Sequence, residues 1–389
     1  MNTVKSTLKV AILANNADSF PKPMAEGLHR MFQSIGVTSE ILYEGLNSLP
    51  PSKRRPTGEK RQTWQKTAIA YGRGFFREVA FRRLVRKLKG FQVAVIIGHL
   101  PVAYYESFFD DRRLRRALPH LPIILYDLIY LGTNRWWIER LASCDVASRV
   151  PQGQHYGLNR YDHYLCVNEM NGNPLLPGCG GYHRVGIDLQ DPALRLQQPK
   201  EFTALIDFER PQHLRERSDQ VSACVEAEIP FQVLHGSYAM SDIRAIYRST
   251  SVYFLAHDES FGLPICEVQA CGGVVLTPHE GWCKAHYVTN DNRTPVRLPD
   301  NIIPYNNNKA QLVQVLKGLR ANFDPKENLR RFKATQPHYY SGDSASLSSF
   351  VEDVLNQKIT SRSHESKLSL DQMMRNAAEQ DSESDTVQP

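Results

Sequence analysis

One short segment, residues 251–276, constrains the fold of this chain more than any other part of the sequence. Apolar runs at 251–256 and 273–276 flank a loop and a helix-like stretch. Pro264 suits the first position of a helix, because its missing N–H would be unpaired there anyway. Gly272 suits the end of a helix of about two and a half turns. The pattern predicts a strand, loop, helix and strand of a parallel sheet, with the loop at the carboxyl edge of that sheet.

The loop carries groups that suit a nucleotide. Glu259 and Glu267 lie eight positions apart on either side of it. The N–H groups of Gly262 and Leu263 and the start of the helix would attract a phosphate, because helix N-termini carry positive partial charge. We expect Glu267 to fall in the first helical turn, where its carboxylate can accept two hydrogen bonds from a ribose diol. The alternative is an ordinary helix N-terminus with surface glutamates.

Residues 259–272 read E-S-F-G-L-P-I-C-E-V-Q-A-C-G. This resembles the Glu-x7-Glu motif of retaining GT-B glycosyltransferases, the glycosyltransferase group 1 or family 4-like enzymes, whose usual form is E-x-F-G-L-P-x-x-E-A-x-A-C-G. Within it, Val268 stands where the family has alanine. The resemblance implies an α/β protein of two Rossmann-like domains whose parallel sheets face a central cleft. It covers about residues 182–290 well and the first domain only by pattern.

The resemblance implies roles for the residues of the motif. Glu267 would bind the ribose of a nucleotide-sugar donor as a substrate-binding residue. Glu259 would lie near the donor sugar and phosphate as part of the catalytic set. The loop residues Phe261, Gly262 and Leu263 would contact the donor, the last two through backbone groups that meet the phosphates.

Two arginines complete the implied catalytic set. Arg210 and Arg215, five positions apart, stand where the family has an Arg and a Lys that bind the donor diphosphate. Two cations there stabilise a leaving group whose charge grows as the glycosidic bond breaks. Glu209 replaces the family's usual glycine and adds a negative charge nearby. The alternative is a pair of solvated arginines on a first helical turn.

Two further residues are predicted to contact substrate. Gly236 follows the strand expected at 231–234 and would approach the base. His99 follows the strand expected at 92–97, and in the family a histidine lines the donor site from the first domain. A structural role is the alternative for this lone histidine. We expect no metal, because the family needs none and no Asp-x-Asp pair is present, and no cofactor besides the donor substrate.

The length of 389 residues exceeds what one hydrophobic core usually fills, so two domains are expected. Strands alternate with helices from Leu8, and the pattern restarts at Phe202, which indicates two parallel sheets. We expect a Rossmann-like acceptor domain over 1–185 and a donor domain over 186–345. A helix over 346–358 would cross back to the first domain, and the polar residues 359–389 would form a disordered tail.

The apolar runs and the cysteines of the sequence predict where in the cell the protein is located. No apolar run reaches the roughly 18 residues of a membrane span, and residues 1–9 lack the apolar segment of a secretory signal. Seven cysteines are scattered without a Cys-x-x-Cys pair, which fits a reducing compartment without disulfides or structural zinc. A cytoplasmic protein whose cysteines are mostly small buried residues is therefore expected.

A basic segment lies between these elements. Residues 53–89 hold 13 Lys and Arg against two glutamates, in a chain whose net charge is +6. Phe81, Leu84, Val85 and Leu88 fall on one face of an expected helix. This pattern indicates contact with an anionic membrane surface, peripheral on the inner membrane face. The alternatives are a solvated helix packed on the sheet and, least favoured because no other feature resembles a nucleic-acid-binding fold, nucleic acid.

Three functions follow. The first is a retaining glycosyltransferase that moves a hexose-type sugar from a nucleoside-diphosphate sugar to a glycan, lipid-linked or small-molecule acceptor. The second is a degenerate GT-B protein that binds a nucleotide or glycan without transfer. Glu209 favours it, as does the turn after the first expected strand, residues 15–19, which lacks glycine. The third is a polyanion-binding protein that acts through residues 53–89.

Overall fold

The fold is that of a computed structural model, which divides into two compact units. The first unit contains the described residues up to Cys166, residues 181–184 and those from Ser344 onward. The second contains Val167, Asn168 and residues 185–343. The structure describes residues 8–14, 21–43, 78–98, 111–127, 161–168, 181–255, 257–259, 261–289, 295–306 and 308–361.

The first unit is built on a six-stranded parallel sheet with strand order β2-β1-β3-β4-β5-β6. Its inner strands are buried apolar runs, as parallel sheets covered on both faces require. The helices of this unit span Pro21–Ser34, 78–88, Asp111–Ala117 and Ser344–Leu355. The strands are β1 (Lys9–Leu13), β2 (Thr38–Leu42), β3 (Val93–Gly98), β4 (Ile123–Asp127), β5 (His163–Cys166) and β6 (Gly181–Arg184).

The helix Ser344–Leu355 packs within the first unit, although the preceding part of the chain belongs to the second. Its Phe350 ring lies 6.4 Å from the ring of Phe32 and 5.9 Å from that of His163, measured between centroids. The chain therefore returns to the first unit at Ser344, two residues before the start expected for a crossover helix.

The basic helix 78–88 packs its apolar face against the first sheet. Leu84 and Leu88 are buried in the core of this unit, and Val85 packs beside them. The structure therefore confirms the alternative of a solvated helix that packs its apolar face on the sheet, and that face is not free to enter a bilayer. Residues 53–77 lie outside the described part of the chain. The cations of the helix and its end remain exposed: Arg82, Arg83, Arg86, Lys87 and Lys89.

The second unit is built on a five-stranded parallel sheet with strand order β13-β10-β9-β7-β8 and carries a small antiparallel pair, β11 and β12. Its helices span Leu214–Glu226, Met240–Ser249, Leu263–Ala270, Lys309–Ala321 and Pro325–Thr335. The strands are β7 (Ala204–Ile206), β8 (Phe231–Val233), β9 (Val252–Phe254), β10 (Val274–Thr277), β11 (Val288–Thr289), β12 (Pro295–Arg297) and β13 (Ile302–Pro304).

The prediction of two parallel α/β sheets is confirmed. Two parallel strands were missed because no long apolar run marks them. β6, with the sequence G-Y-H-R, is an edge strand of partly exposed residues. β13 is three residues long and ends in proline. None of the helices in the described part of the chain combines the length and hydropathy needed to cross a bilayer.

Candidate functional site

The Glu259–Glu267 segment lies at the carboxyl end of β9, where it leads into the helix Leu263–Ala270. Gly262 directly precedes this helix with a φ of 60°, which an L side chain rarely adopts. A Cβ atom at Gly262 would lie 2.9 Å from Cδ1 of Ile265. Glycine is therefore required at the turn. Pro264 occupies the second helical position, one residue later than expected.

The turn leaves donor groups at the helix start. The N–H groups of Gly262 and Leu263 donate to no acceptor in the described part of the chain. The loop before them is fixed from its other side, because the N–H of Glu259 donates to the carbonyl oxygen of Trp282 at 3.1 Å. Two N–H groups thus stand at the positive end of a helix, an arrangement that suits an anion.

A buried histidine anchors this loop. The ring of His286 stacks on Phe261, with centroids 5.7 Å apart and planes 3° apart, and its Nε2 donates to the Phe261 carbonyl oxygen. Burial lowers the pKa of His286 to about 4, so the imidazole is neutral near pH 7. Phe261 is 7% exposed and also packs on Tyr339. Its ring packs on His286 and Tyr339, so Phe261 positions the loop, and its expected contact with substrate stays a prediction.

Acidification is expected to destabilise the fold through His286. Its pKa is about 4 in the folded chain against 6.5 for a free side chain, so the unfolded chain binds more protons between these values. The contribution of the neutral His286 to the free energy of unfolding is complete above pH 6.5 and falls by about 3 kcal/mol as the pH drops toward 4. Urea unfolding between pH 7 and pH 4 measures the loss. The variant His286→Gln should lose less over this range, and parallel curves would contradict the prediction.

Glu267 is buried in an ion-paired group of three side chains. Arg244 donates from Nε and Nη2 to Oε1 of Glu267 at 2.9 and 2.7 Å, and from Nη1 to Oδ2 of Asp191 at 2.6 Å. The exposed fractions are 7% for Arg244, 2% for Glu267 and 17% for Asp191. Burial raises the pKa of Glu267, and Arg244 opposes that shift. Neither Arg244 nor Asp191 was predicted as a partner of Glu267.

This geometry corrects two expectations about Glu267. The first turn of the helix Leu263–Ala270 contains no acidic residue, and Glu267 is its fifth residue. Oε1 is occupied by Arg244, whereas Oε2 accepts no hydrogen bond from the residues that the structure describes. One carboxylate oxygen, rather than the pair expected for a diol, is thus left without a donor from the described residues.

Glu259 is held by His257, which the sequence analysis also missed. Nε2 of His257 lies 2.6 Å from Oε1 of Glu259, and Nδ1 lies 2.8 Å from Oδ2 of Asp207. The contact with Asp207 is close but not aligned as a hydrogen bond, so it acts through charge. Burial lowers the pKa of His257, but the two carboxylates outweigh burial and raise it to about 9. Asp207, a carboxylate directly after β7, was the sequence feature that could have indicated this pairing.

Arg210 and Arg215 lie beside the start of the helix Leu214–Glu226, which follows β7 at the carboxyl edge of the sheet. Both side chains are exposed. Neither forms an ion pair with another described residue. Their charges are therefore available to a ligand.

Arg217, which sequence reasoning did not single out, lies closer to the sheet. It donates to the carbonyl oxygens of Asp207 and Leu234 at 3.3 and 3.4 Å. Its Nη1 also lies 3.1 Å from Oε2 of Glu209. The negative charge of Glu209, expected to oppose an anion, is thus engaged by Arg217.

The remaining predicted residues are less informative. Gly236 is exposed after β8, with a φ of 70° and open space where a Cβ atom would lie. His99 lies outside the described residues.

Among the described residues, no three His, Cys, Asp or Glu side chains are grouped to hold a metal ion. The described cysteines are buried and form no disulfide with one another, which agrees with the expected role as small buried residues: Cys166, Cys224, Cys266, Cys271 and Cys283.

Comparison with known proteins supports the fold. The sequence matches no protein-family model. No curated protein is similar to it in sequence. An alpha-glucosyltransferase in complex with UDP-glucose and DNA containing an abasic site has a TM-score of 0.52 at 12% identity, covering 90% of this chain and 99% of that chain.

Two further solved structures are less similar. The glycosyltransferase of kitacinnamycin has a TM-score of 0.48 at 12% identity, over 89% of this chain and 99% of that one. The catalytic domain of starch synthase IV from Arabidopsis thaliana, bound to ADP and acarbose, has a TM-score of 0.46 at 11% identity, over 90% and 99%. The two parallel sheets and the match at a TM-score of 0.52 show that the chain has a GT-B fold, with two Rossmann-like units each built on a parallel sheet.

Proposed function

We propose that this chain is a retaining glycosyltransferase that moves a hexose-type sugar from a nucleoside-diphosphate sugar to an acceptor. One observation carries the proposal. Glu259 and Glu267 flank a helix start whose N–H groups at Gly262 and Leu263 have no described acceptor, at the carboxyl edge of the second sheet. Ligands of open α/β sheets bind at that edge. The similarity to an alpha-glucosyltransferase bound to UDP-glucose supports this class of donor.

Each group of the site has a part in the proposed reaction. The donor diphosphate would accept hydrogen bonds from the N–H groups of Gly262 and Leu263. Oε2 of Glu267 would accept one from a ribose hydroxyl, and Glu259 would face the donor sugar. The departing phosphate would take the acceptor proton, so no side-chain nucleophile is required.

The exposed arginines would stabilise the departing diphosphate. Electrostatic stabilisation of charge that grows in the transition state lowers the barrier to bond cleavage. Arg210 and Arg215 are free of ion pairs within the described residues, so their binding to phosphate breaks no existing contact.

Removing either arginine should weaken donor use without unfolding the protein. The variants Arg210→Ala and Arg215→Ala should each lower kcat/KM for the donor about tenfold, because a charge-assisted hydrogen bond contributes on the order of 1.5–3 kcal/mol. Arg195→Ala, at another exposed arginine of the same unit, is the matched control. Unchanged kcat/KM in both site variants would show that these arginines are only solvated surface residues.

The first unit would supply the acceptor side. The exposed cations from Arg82 to Lys89 favour an acceptor or a surface that carries negative charge. Contact with an anionic membrane would be electrostatic, since Leu84 and Leu88 are buried. A cytoplasmic protein at the inner membrane face, with a glycan, lipid-linked or small-molecule acceptor, fits this proposal.

The release of nucleoside diphosphate tests the proposal. UDP-, ADP- and GDP-hexoses would be incubated with the full chain and a panel of glycan, lipid-linked and small-molecule acceptors. Acceptor-dependent release, with a product that keeps the anomeric configuration of the donor, is expected. A donor that binds without release with any acceptor would favour the non-catalytic GT-B protein, and an inverted product would refute retention.

A further inference from the structure

The ring of His257 lies between two carboxylates. Asp207 faces Nδ1 at 2.8 Å and Glu259 faces Nε2 at 2.6 Å. A neutral imidazole has one N–H, whereas an imidazolium has two. Glu259 accepts from Nε2 and Asp207 lies against Nδ1 as an opposite charge, so the arrangement favours a doubly protonated, positively charged ring. The three residues form a row, which we call the 207–257–259 row.

We propose that His257 is a positioning residue that keeps Glu259 oriented toward the donor sugar. This inference rests on the proposed function, because it assigns the support of a residue placed in that site. It adds a residue that lies outside the Glu259–Glu267 segment and is not itself expected to touch the donor.

The row runs from the protein interior to its surface. The exposed fractions are 3% for Asp207, 13% for His257 and 31% for Glu259. Asp207 at the end of β7 fixes the ring, and the ring in turn fixes Oε1 of Glu259. The other oxygen, Oε2, accepts no hydrogen bond within the described part of the chain. A carboxylate held at one oxygen presents the other to a hydroxyl without first losing rotamer freedom.

The charge of the ring also holds two carboxylates on either side of it. Without a cation between them, Asp207 and Glu259 would repel each other as like charges, and Glu259 would no longer be held in this orientation. The pKa of His257 is about 9, which agrees with an imidazolium at neutral pH.

The other titratable and charged groups around the 207–257–259 row are consistent with a positively charged His257 ring. Burial raises the pKa of Tyr253 and of Tyr247 above the ordinary value, so both phenols stay neutral. Arg217, from the helix Leu214–Glu226, is bound to the backbone oxygen of Asp207 and to Glu209. The two carboxylates of the row are therefore the charges that face the ring directly.

An NMR titration of His257 in the ligand-free full chain tests the row without any donor. Both ring nitrogens should stay protonated until the pH approaches about 9, and Glu259→Gln should lower this midpoint. His120→Asn, at an exposed histidine of the other unit, should leave the midpoint unchanged. A midpoint near 6.5 in the wild type would overturn the inference, whether or not any donor binds.

Two variants then separate positioning from folding. His257→Gln can keep an N–H near the position of Nε2, whereas His257→Asn can keep one only near Nδ1. Calorimetry with UDP-, ADP- and GDP-glucose should show a Kd raised about tenfold or more in the Asn variant and less in the Gln variant. The wild type should also lose affinity as the pH rises through about 9, and neither variant should show that step.

The outcomes distinguish the two proposals. Folded variants that bind as the wild type does, with the same pH profile, would overturn the positioning role of His257. If the wild type binds none of the three sugars while His257 titrates near 9, the donor assignment of the proposed function fails and the 207–257–259 row stands.

Discussion

Replacing Glu267 with alanine is expected to lower the free energy of unfolding by about 3–5 kcal/mol, because removal of one partner strands a buried charge. Arg244 is 7% exposed and directs two of its three bonds to the Glu267 carboxylate. Asp191 alone would remain as its partner. Urea unfolding measures the change, and Glu352→Ala, at an exposed glutamate, is the control.

A double variant tests the cause of this loss. Replacing Arg244 and Glu267 together with methionine removes both charges and keeps the volume, so it should cost less than Glu267→Ala alone. Donor affinity should be lost in both variants, since each lacks the Glu267 oxygen that we propose faces the ribose. A single variant as stable as the wild type, or a double variant that binds the donor normally, would refute the role assigned to Glu267.

Gly262→Val is expected to reduce diphosphate affinity by about 30-fold or more. Gly262 has a φ of 60°, and a Cβ there would approach Ile265 to 2.9 Å. The strain, on the order of 1–3 kcal/mol, should be relieved by moving the turn, which would displace the N–H groups of Gly262 and Leu263. Calorimetry with UDP, ADP and GDP measures the effect.

The neighbouring Gly281 offers a matched control for this substitution. A Cβ at Gly281 would meet no atom within 4 Å, so Gly281→Val should bind the same diphosphates normally. Equal affinities of the Gly262 and Gly281 variants would show that the turn is not a phosphate site.

The sequence predicted the fold well wherever apolar periodicity agreed with the residues that mark the ends of helices. Residues 251–276 are the clearest case, because the apolar runs mark β9 and β10, and Pro264 and Gly272 mark the helix Leu263–Ala270 between them. The edge strand Gly181–Arg184 lacks an apolar run, so periodicity could not reveal it.

The residues within the Glu259–Glu267 segment could be predicted from the sequence, but their partners on other strands and helices could not. The motif fixed the positions of Glu259, Gly262 and Glu267, because their spacing is local. Their partners come from distant parts of the sequence: Asp207 follows another strand, and Arg244 lies on another helix. Pairing across a sheet edge depends on tertiary packing, so a single sequence carries no spacing rule for it.

The central claim is that the second unit binds a nucleoside-diphosphate sugar at the Glu259–Glu267 segment. Calorimetric titration of the full chain with UDP-, ADP- and GDP-glucose, repeated on Glu259→Gln, tests it most directly. The account predicts one-site binding of at least one sugar by the wild type, and binding weakened about tenfold or more in the variant. Absence of binding by all three, or equal affinity in the variant, would contradict the claim.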